Sequence, residues 1–139
     1  MKEVRAWHAS STRLVAVVEA QDKFGPMGLV CVALLDRSAP EVQIPVFVLS
    51  CRVFGYGIEH AILGAVKRLA IANWGRDKAC IRGAFRETTH NQPCIRMYPE
   101  NGFTWDGASW VLSRVEPPVD PVWLSIRDQL SSAPDAVVL

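Results

Sequence analysis

The sequence has no stretch approaching the roughly 20 consecutive apolar residues that a membrane-spanning helix needs. Its first residues, MKEVRAWHASS, have no apolar core of the kind found in a secretory signal. The four cysteines form no C-x-x-C pair, and the three histidines do not cluster with them, so the spacing of a zinc site is missing. These absences predict a cytoplasmic protein with reduced, buried thiols, no bound metal and no membrane partner.

An excess of charge of one sign is also missing. Fifteen Lys and Arg against 14 Asp and Glu leave a net charge of +1, which gives no electrostatic reason to expect nucleic acid as a partner. Hydrophobic residues make up 50% of the chain, as is typical of globular proteins. The 139 residues predict a single domain over 1–139, with a loose C-terminal tail over 131–139.

Apolar runs and turn residues divide the chain into strands and helices. A turn over 22–28 joins two strands as an antiparallel hairpin, and Pro45 predicts a bulge or an edge position in the third strand. Ile58, Ile62, Ala65, Leu69 and Ala72 share one face of a helix that Gly75 ends. The predicted strands are 13–19, 29–35, 42–50 and 78–85, with a final hairpin over 103–114 that turns at Asp106-Gly107; short helices are predicted over 2–10 and 93–98, and a short element over 123–130.

The succession of strand, helix and strand predicts a right-handed parallel crossover. Together with the hairpins, this predicts an α/β (α+β) fold, with a mixed and mainly antiparallel sheet and flanking helices.

The most informative segment joins the third strand to the long helix. It reads Ser50-Cys51-Arg52-Val53-Phe54-Gly55-Tyr56-Gly57-Ile58-Glu59. The first amides of a helix lack backbone partners, and the two glycines allow close approach, so this turn suits a phosphate group. It contains no Gly-Lys-Ser or Gly-Lys-Thr and no third glycine at dinucleotide spacing, so it matches neither common nucleotide motif.

Here the sequence resembles a family. Arg52-x-x-Gly55-x-Gly57 is similar to the acyl-CoA pyrophosphate motif of GNAT-type acetyltransferases, and Tyr98-Pro99-Glu100-Asn101-Gly102-Phe103 is similar to the Tyr-x-x-x-Gly-Phe signature of that fold. A closer resemblance is to the C-terminal GNAT-like domain of FkbH-type proteins of polyketide biosynthesis. It is carried by Asp22-Lys23-Phe24-Gly25, Gly28-Leu29-Val30, Leu49-Ser50-Cys51-Arg52-Val53, Gly55, Thr88, Asn91 and Tyr98.

The chain also departs from those relatives. Ala84 stands where they tend to have a carboxylate, His90 where they have Lys, and Tyr56 where they have Arg. The segment before Arg13 is too short for the usual first strand, and the phosphatase-like domain has no room. We therefore expect a truncated or excised domain whose outer strand edge is open to pairing with a second copy as a homodimer.

The resemblance implies which residues would act. The pyrophosphate of an acyl-CoA such as acetyl-CoA, or the phosphopantetheine of an acyl carrier protein, would be bound at Leu49, Ser50, Arg52, Val53, Phe54, Gly55, Tyr56, Gly57 and Asn91. Tyr98 would be the general acid, and Glu87 and His90 the nearest candidate bases. The five tryptophans are expected to pack in the core and the hairpin, and Trp105 and Trp110 are the alternative candidates for the floor of an acceptor pocket.

Each role has a structural alternative. Arg52 is equally readable as a solvated turn charge, Tyr98 as a core aromatic, Asn91 as a helix cap and His90 as a solvated loop residue. The leading functional hypothesis is an acyltransferase that moves an acyl group from a thioester to a small-molecule or carrier-bound amine or hydroxyl. The alternative is a non-catalytic GNAT-like module that binds a carrier protein or a partner enzyme.

Overall fold

The structure is a computed structural model that describes residues 11–75, 80–114, 122, 125, 129–130 and 137–138. Within them, eight strands form one sheet in the order β5-β6-β4-β3-β2-β1-β8-β7. Most neighbouring strands are antiparallel, and the pairs β3–β4 and β1–β8 are parallel. The fold is therefore mixed α+β with a mainly antiparallel sheet, as the sequence predicts. The predicted helix over 2–10 lies outside the described residues.

The first two strands form a long hairpin. β1 (Arg13–Asp22) pairs with β2 (Gly25–Asp36) as far as Asp22 and Gly25. The predicted seven-residue turn over 22–28 is wrong, because the turn is confined to Lys23 and Phe24. The Asp22 carboxylate accepts the N–H groups of Phe24 and Gly25 and so closes this tight turn.

The central strand β3 (Val42–Leu49) pairs with β2 on one side and with β4 (Ile81–Gly83) on the other. Its register against β2 shifts between Leu34 and Asp36, which face the segment around Pro45, so the predicted bulge is confirmed. The bulge keeps the apolar side chains on one face, since Val42 and Ile44 before it and Phe47 after it all pack into the same core.

Helix α1 (Ile58–Trp74) connects β3 to β4 as the predicted parallel crossover. It ends at Gly75, whose positive φ of 83° and N–H bond to Ile71 O make it the expected C-terminal stop. Residues 61–67 are all buried, so the helix is covered over much more than one narrow stripe. Ala72, which the periodicity placed on the buried face, is exposed.

After β4 the chain returns over the same face of the sheet as α1. A 3-10 turn (Gln92–Cys94) and the single-turn helix α2 (Met97–Glu100) replace the continuous helix predicted over 93–98. The hairpin of β5 (Thr104–Trp105) and β6 (Trp110–Leu112) then turns at Asp106-Gly107, as predicted. No helix in the described part of the chain is both long and apolar enough to cross a bilayer.

The far edge of the sheet is formed by β7 (Gln129–Leu130) and β8 (Val137–Val138). β8 pairs in parallel with Ala16 and Val17 of β1. The sequence analysis expected this outer edge of β1 to be open to pairing with a second copy. At Ala16 and Val17 the edge is instead paired within the chain. Of the predicted loose tail over 131–139, the described residues are Val137 and Val138, and they belong to this sheet.

Candidate functional site

The parallel strands β3 and β4 separate in the middle of the sheet. They pair from Val42–Ile81 to Ile44–Gly83, and the last backbone bond between them runs from Ala84 N to Ile44 O at 3.1 Å. Within the described residues, no strand pairs with β3 on this side beyond Ile44. The sheet therefore contains an opening beside residues 46–49 of β3.

The bulge at Pro45 explains this opening. Val42 donates its N–H to Cys80 O, just before β4, and Ile44 O accepts the N–H of Ala84, just after it, so even-numbered residues before the bulge face β4. After the bulge Ser50 donates to Val30 of β2, so even-numbered residues there face β2. By this alternation Phe47 and Leu49 turn their N–H and C=O groups into the opening, as an unpaired strand edge.

The segment after β3 is held against β2 by an arginine. A 3-10 turn over Cys51–Val53 begins at Ser50, whose hydroxyl accepts the N–H and the Nε of Arg52. The Arg52 guanidinium donates to Met27 O at 2.7 Å and to Leu29 O at 3.1 Å. Arg52 is therefore more than a solvated turn charge, because its guanidinium binds this loop to carbonyl groups of β2.

Some of the loop amides are already used. Val53 donates to Ser50 O and Phe54 to Cys51 O, so these two N–H groups, which the motif assigned to pyrophosphate, are occupied. The amides from Gly55 to His60 have no acceptor among residues 11–75 and 80–114, because the first bond of the helix is from Ala61 to Gly57 O. A candidate phosphate cradle therefore begins two residues further along the loop, over 55–60 rather than 53–57.

The two glycines of the loop are required by its backbone. Gly55 and Gly57 have φ values of 81° and 75°, a region that other residues rarely adopt. A Cβ added at Gly55 would meet nothing within 4 Å, so the space beside Gly55 is open. Tyr56 between them is exposed, and Leu49 at the strand end is half-buried.

Glu59 brings a negative charge close to this cradle. It lies in the first turn of α1, where its negative charge interacts favourably with the helix dipole. Its Oε2 atom is buried without a hydrogen-bond partner in the described structure. The carboxylate faces the segment around Cys94, where burial and then this negative charge raise the pKa of the thiol.

Tyr98 lies at the point where β3 and β4 part. It is only 1% exposed, and a Cβ added at Gly83, the last residue of β4, would lie 2.6 Å from its hydroxyl oxygen. The hydroxyl has no hydrogen-bond partner within the described residues. Burial, and then the Cys31 thiol, raise the pKa of Tyr98 well above its ordinary value, so the group stays protonated at neutral pH. Tyr98 is a core aromatic, yet its hydroxyl is uncommitted, in the sense that it donates to no acceptor among the described residues.

A buried lysine that the sequence analysis missed holds the turn carrying Tyr98. Lys67 of α1 is 9% exposed and donates to Asn101 O at 2.7 Å. Asn101 in turn donates from its side chain to His60 and to Met97 O, and from its backbone to Tyr98 O. Burial lowers the pKa of Lys67. A lysine inside an apolar helical stretch was the available sequence signal, but its partner 34 residues away was not.

The loop after β4 carries the other predicted site residues, and the structure does not join them to Tyr98. Asn91 accepts the N–H of Thr88 and donates to Arg86 O, so its side chain closes the loop instead of capping the 3-10 turn. Glu87 accepts from Gln92, and His90 contacts Thr89; all of these bonds are between exposed groups. Neither Glu87 nor His90 hydrogen-bonds the Tyr98 hydroxyl.

The cysteines and acidic residues offer no metal site in the described part of the chain, where no three His, Cys, Asp or Glu side chains are grouped as ligands would be. The cysteines are unpaired, and the prediction that they are buried holds only for Cys31, since Cys51 is exposed. Comparison with models of known protein families and with curated proteins gives no match.

Proposed function

We propose that the chain binds the pantetheine arm of an acyl thioester in the opening between β3 and β4 and transfers its acyl group to an amine or hydroxyl. The observation that carries the proposal is the position of the uncommitted Tyr98 hydroxyl at the closed end of this opening, beside Gly83. A hydroxyl without a hydrogen-bond partner among the described residues and an unpaired strand edge thus meet at one place.

The strand edge suits pantetheine chemically. The arm is an extended chain with two amide groups, and the N–H and C=O groups of Phe47 and Leu49 offer it the pairing that β4 does not. At the outer end of β3, the amides from Gly55 to His60 and the helix dipole would face the phosphate groups. The long helix between parallel partners and the final hairpin support the proposal of a GNAT-like layout, which would serve the same function.

The reaction requires little covalent participation by the protein. The acceptor nitrogen or oxygen attacks the thioester carbonyl carbon, the new bond forms and the carbon–sulfur bond breaks. The sulfur leaves with the electron pair and takes the Tyr98 proton, while the acceptor's own proton restores the tyrosine. The products are the acylated acceptor and the free thiol, and positioning supplies most of the rate enhancement.

The proposal is tested by calorimetric titration with CoA, acetyl-CoA, longer acyl-CoAs and a phosphopantetheinylated carrier protein. Gly55→Ala forces a side chain onto a positive φ in the cradle and is expected to weaken CoA binding at least tenfold. Gly107→Ala is the matched control, since it places the same strain, at a φ of 102°, in the β5–β6 turn. Absence of binding to every thioester and to the carrier protein rejects the proposal.

A second candidate function, a non-catalytic binding module, is favoured by the separation of Glu87 and His90 from Tyr98. Tyr98→Phe and His90→Ala distinguish the two. As an enzyme, the chain should lose about 10²–10⁴-fold in turnover through Tyr98→Phe with CoA affinity retained. If neither variant changes turnover and Arg52→Ala abolishes carrier-protein binding, the chain is a binding module.

A further inference from the structure

A row of side chains crosses four strands at the closed end of the opening. Ile44 of β3 lies opposite Gly83 of β4, Gly83 opposite Trp110 of β6, and Trp110 opposite Trp105 of β5. Residues directly opposite on neighbouring strands share one face of a sheet. The two tryptophans therefore lie on the same face as the Tyr98 ring, on the side away from the β3 edge.

The aromatic rings along this row touch one another. Tyr98 stacks on Trp110 with ring centroids 6.4 Å apart, and Trp110 meets Trp105 edge-on at 5.6 Å. Exposure rises along the same line, since Tyr98 is 1% exposed, Trp110 is half-buried and Trp105 is 50% exposed. A chain of aromatic contacts thus runs from the exposed Trp105 to the buried Tyr98 ring.

The carboxylate of the hairpin that carries both tryptophans is already neutralised. Asp106 is the only acidic residue between Phe103 and Arg114. One of its oxygens accepts the N–H groups of Ala108 and Ser109, and the other is bound by Arg82. The turn beside Trp105 therefore offers no free carboxylate to a cationic ligand, whereas an exposed indole offers stacking area to a flat neutral ring.

We propose that Trp105 and Trp110 form a binding site for the planar ring of a neutral aromatic acceptor. This tryptophan site lies on one side of Tyr98 and the β3 edge lies on the other, so the two sites approach the Tyr98 hydroxyl from opposite directions. As an acceptor site the inference rests on the proposed function, and it specifies a hydroxyl or amine borne on an aromatic ring. As a binding site it is tested without any thioester.

The test is saturation-transfer NMR on the free chain with three neutral alcohols, benzyl alcohol, cyclohexylmethanol and 1-pentanol. Wild type is expected to bind benzyl alcohol about tenfold more tightly than 1-pentanol, a preference that Trp105→Ala reduces to near one and Trp105→Phe largely retains. Thr104→Ala, one residue away on the opposite face of β5, is the matched control and should keep the preference. Far-ultraviolet circular dichroism checks that each variant is folded.

Equal binding of the three alcohols by wild type, or an unchanged preference in Trp105→Ala, overturns the inference whether or not CoA binds. Tighter binding of cyclohexylmethanol than of benzyl alcohol also overturns it, because that result requires an apolar patch without ring recognition. If the ring preference is present but no thioester binds, the aromatic site stands and the proposed function fails.

Discussion

The two halves of β3 are similar in composition but differ in their strand partners and exposure. Val42–Ile44 lies between two strands, with Val42 and Ile44 buried, whereas residues 46–49 have β2 as their only strand partner in the part of the chain that the structure describes, and Val48 is 60% exposed. Both halves are rich in β-branched and aromatic residues that favour strands. The difference comes from one bulge at Pro45, which reverses the direction of the backbone groups. A local irregularity thus divides one strand into a half that is paired on both sides and a half with one edge unpaired among the described residues.

The largest expected effect comes from proline substitutions that test this reversal. Val48→Pro should cost about 1–3 kcal/mol more in free energy of unfolding than Val48→Ala, because it leaves a β2 carbonyl without its donor. Leu49→Pro should have nearly the same free energy of unfolding as Leu49→Ala, because the N–H group that it removes points into the opening. Urea unfolding measures the four variants.

The same variants connect the strand edge to ligand binding. Leu49→Pro should weaken CoA binding relative to Leu49→Ala, since a donor to the pantetheine amides is lost. Equal stability costs for Val48→Pro and Leu49→Pro, each relative to its alanine variant, would mean that the two edges of this half are alike.

The closed end of the opening is tested by Gly83→Ala. The added methyl group overlaps the Tyr98 ring and should cost about 1–3 kcal/mol, with a shift of the hydroxyl that lowers turnover. Replacing Tyr98 by Leu in the same chain should recover much of the stability, so the two changes are non-additive. Thermal unfolding of the single and double variants is the measurement, and strict additivity would contradict the contact.

A smaller effect is expected at the loop that follows the open half. Arg52→Ala removes the ties to Met27 and Leu29, so the hydrogen-bonded amides of Val53 and Phe54 should exchange with solvent faster in the free protein, and CoA affinity should fall about tenfold. Arg52→Lys, which can keep one tie, should be intermediate. Weaker CoA binding with unchanged amide exchange would instead mean that Arg52 contacts phosphate directly.

The smallest effect is expected at low pH, at the ion pair between Arg82 of β4 and Asp106 of the β5–β6 turn. A hydrogen bond from Arg82, then those from Ala108 and Ser109, lower the pKa of Asp106 from 3.8 to about 2. Because the folded pKa lies below the unfolded one, the stabilisation is complete above pH 3.8 and is lost as the pH falls through about 2. Asp106→Asn should flatten this acid dependence of the melting temperature, and exposed Glu19→Gln is the control. An equal slope in both variants would exclude the pair as its source.

Features that depend on neighbours in sequence were predicted well. The long helix and its stop at Gly75, the Asp106-Gly107 turn and the bulge at Pro45 all follow from local backbone preferences and apolar spacing. The errors also have local causes. Glycines at 25 and 28 suggested a wide turn, but both fit within β2, where the pairing with β1 shifts its register.

The secondary-structure elements, their succession along the chain and the glycine-bearing loop follow from local patterns in the sequence, and that succession implies the parallel crossover. The contacts between those elements depend on how the chain packs in three dimensions. The tertiary structure placed Tyr98 over Gly83, tied Arg52 to β2 carbonyls and Lys67 to Asn101, and moved the available amides to residues 55–60. These contacts join residues 15 to 34 positions apart or depend on which backbone groups are already paired, and packing the sheet against the helices settles both.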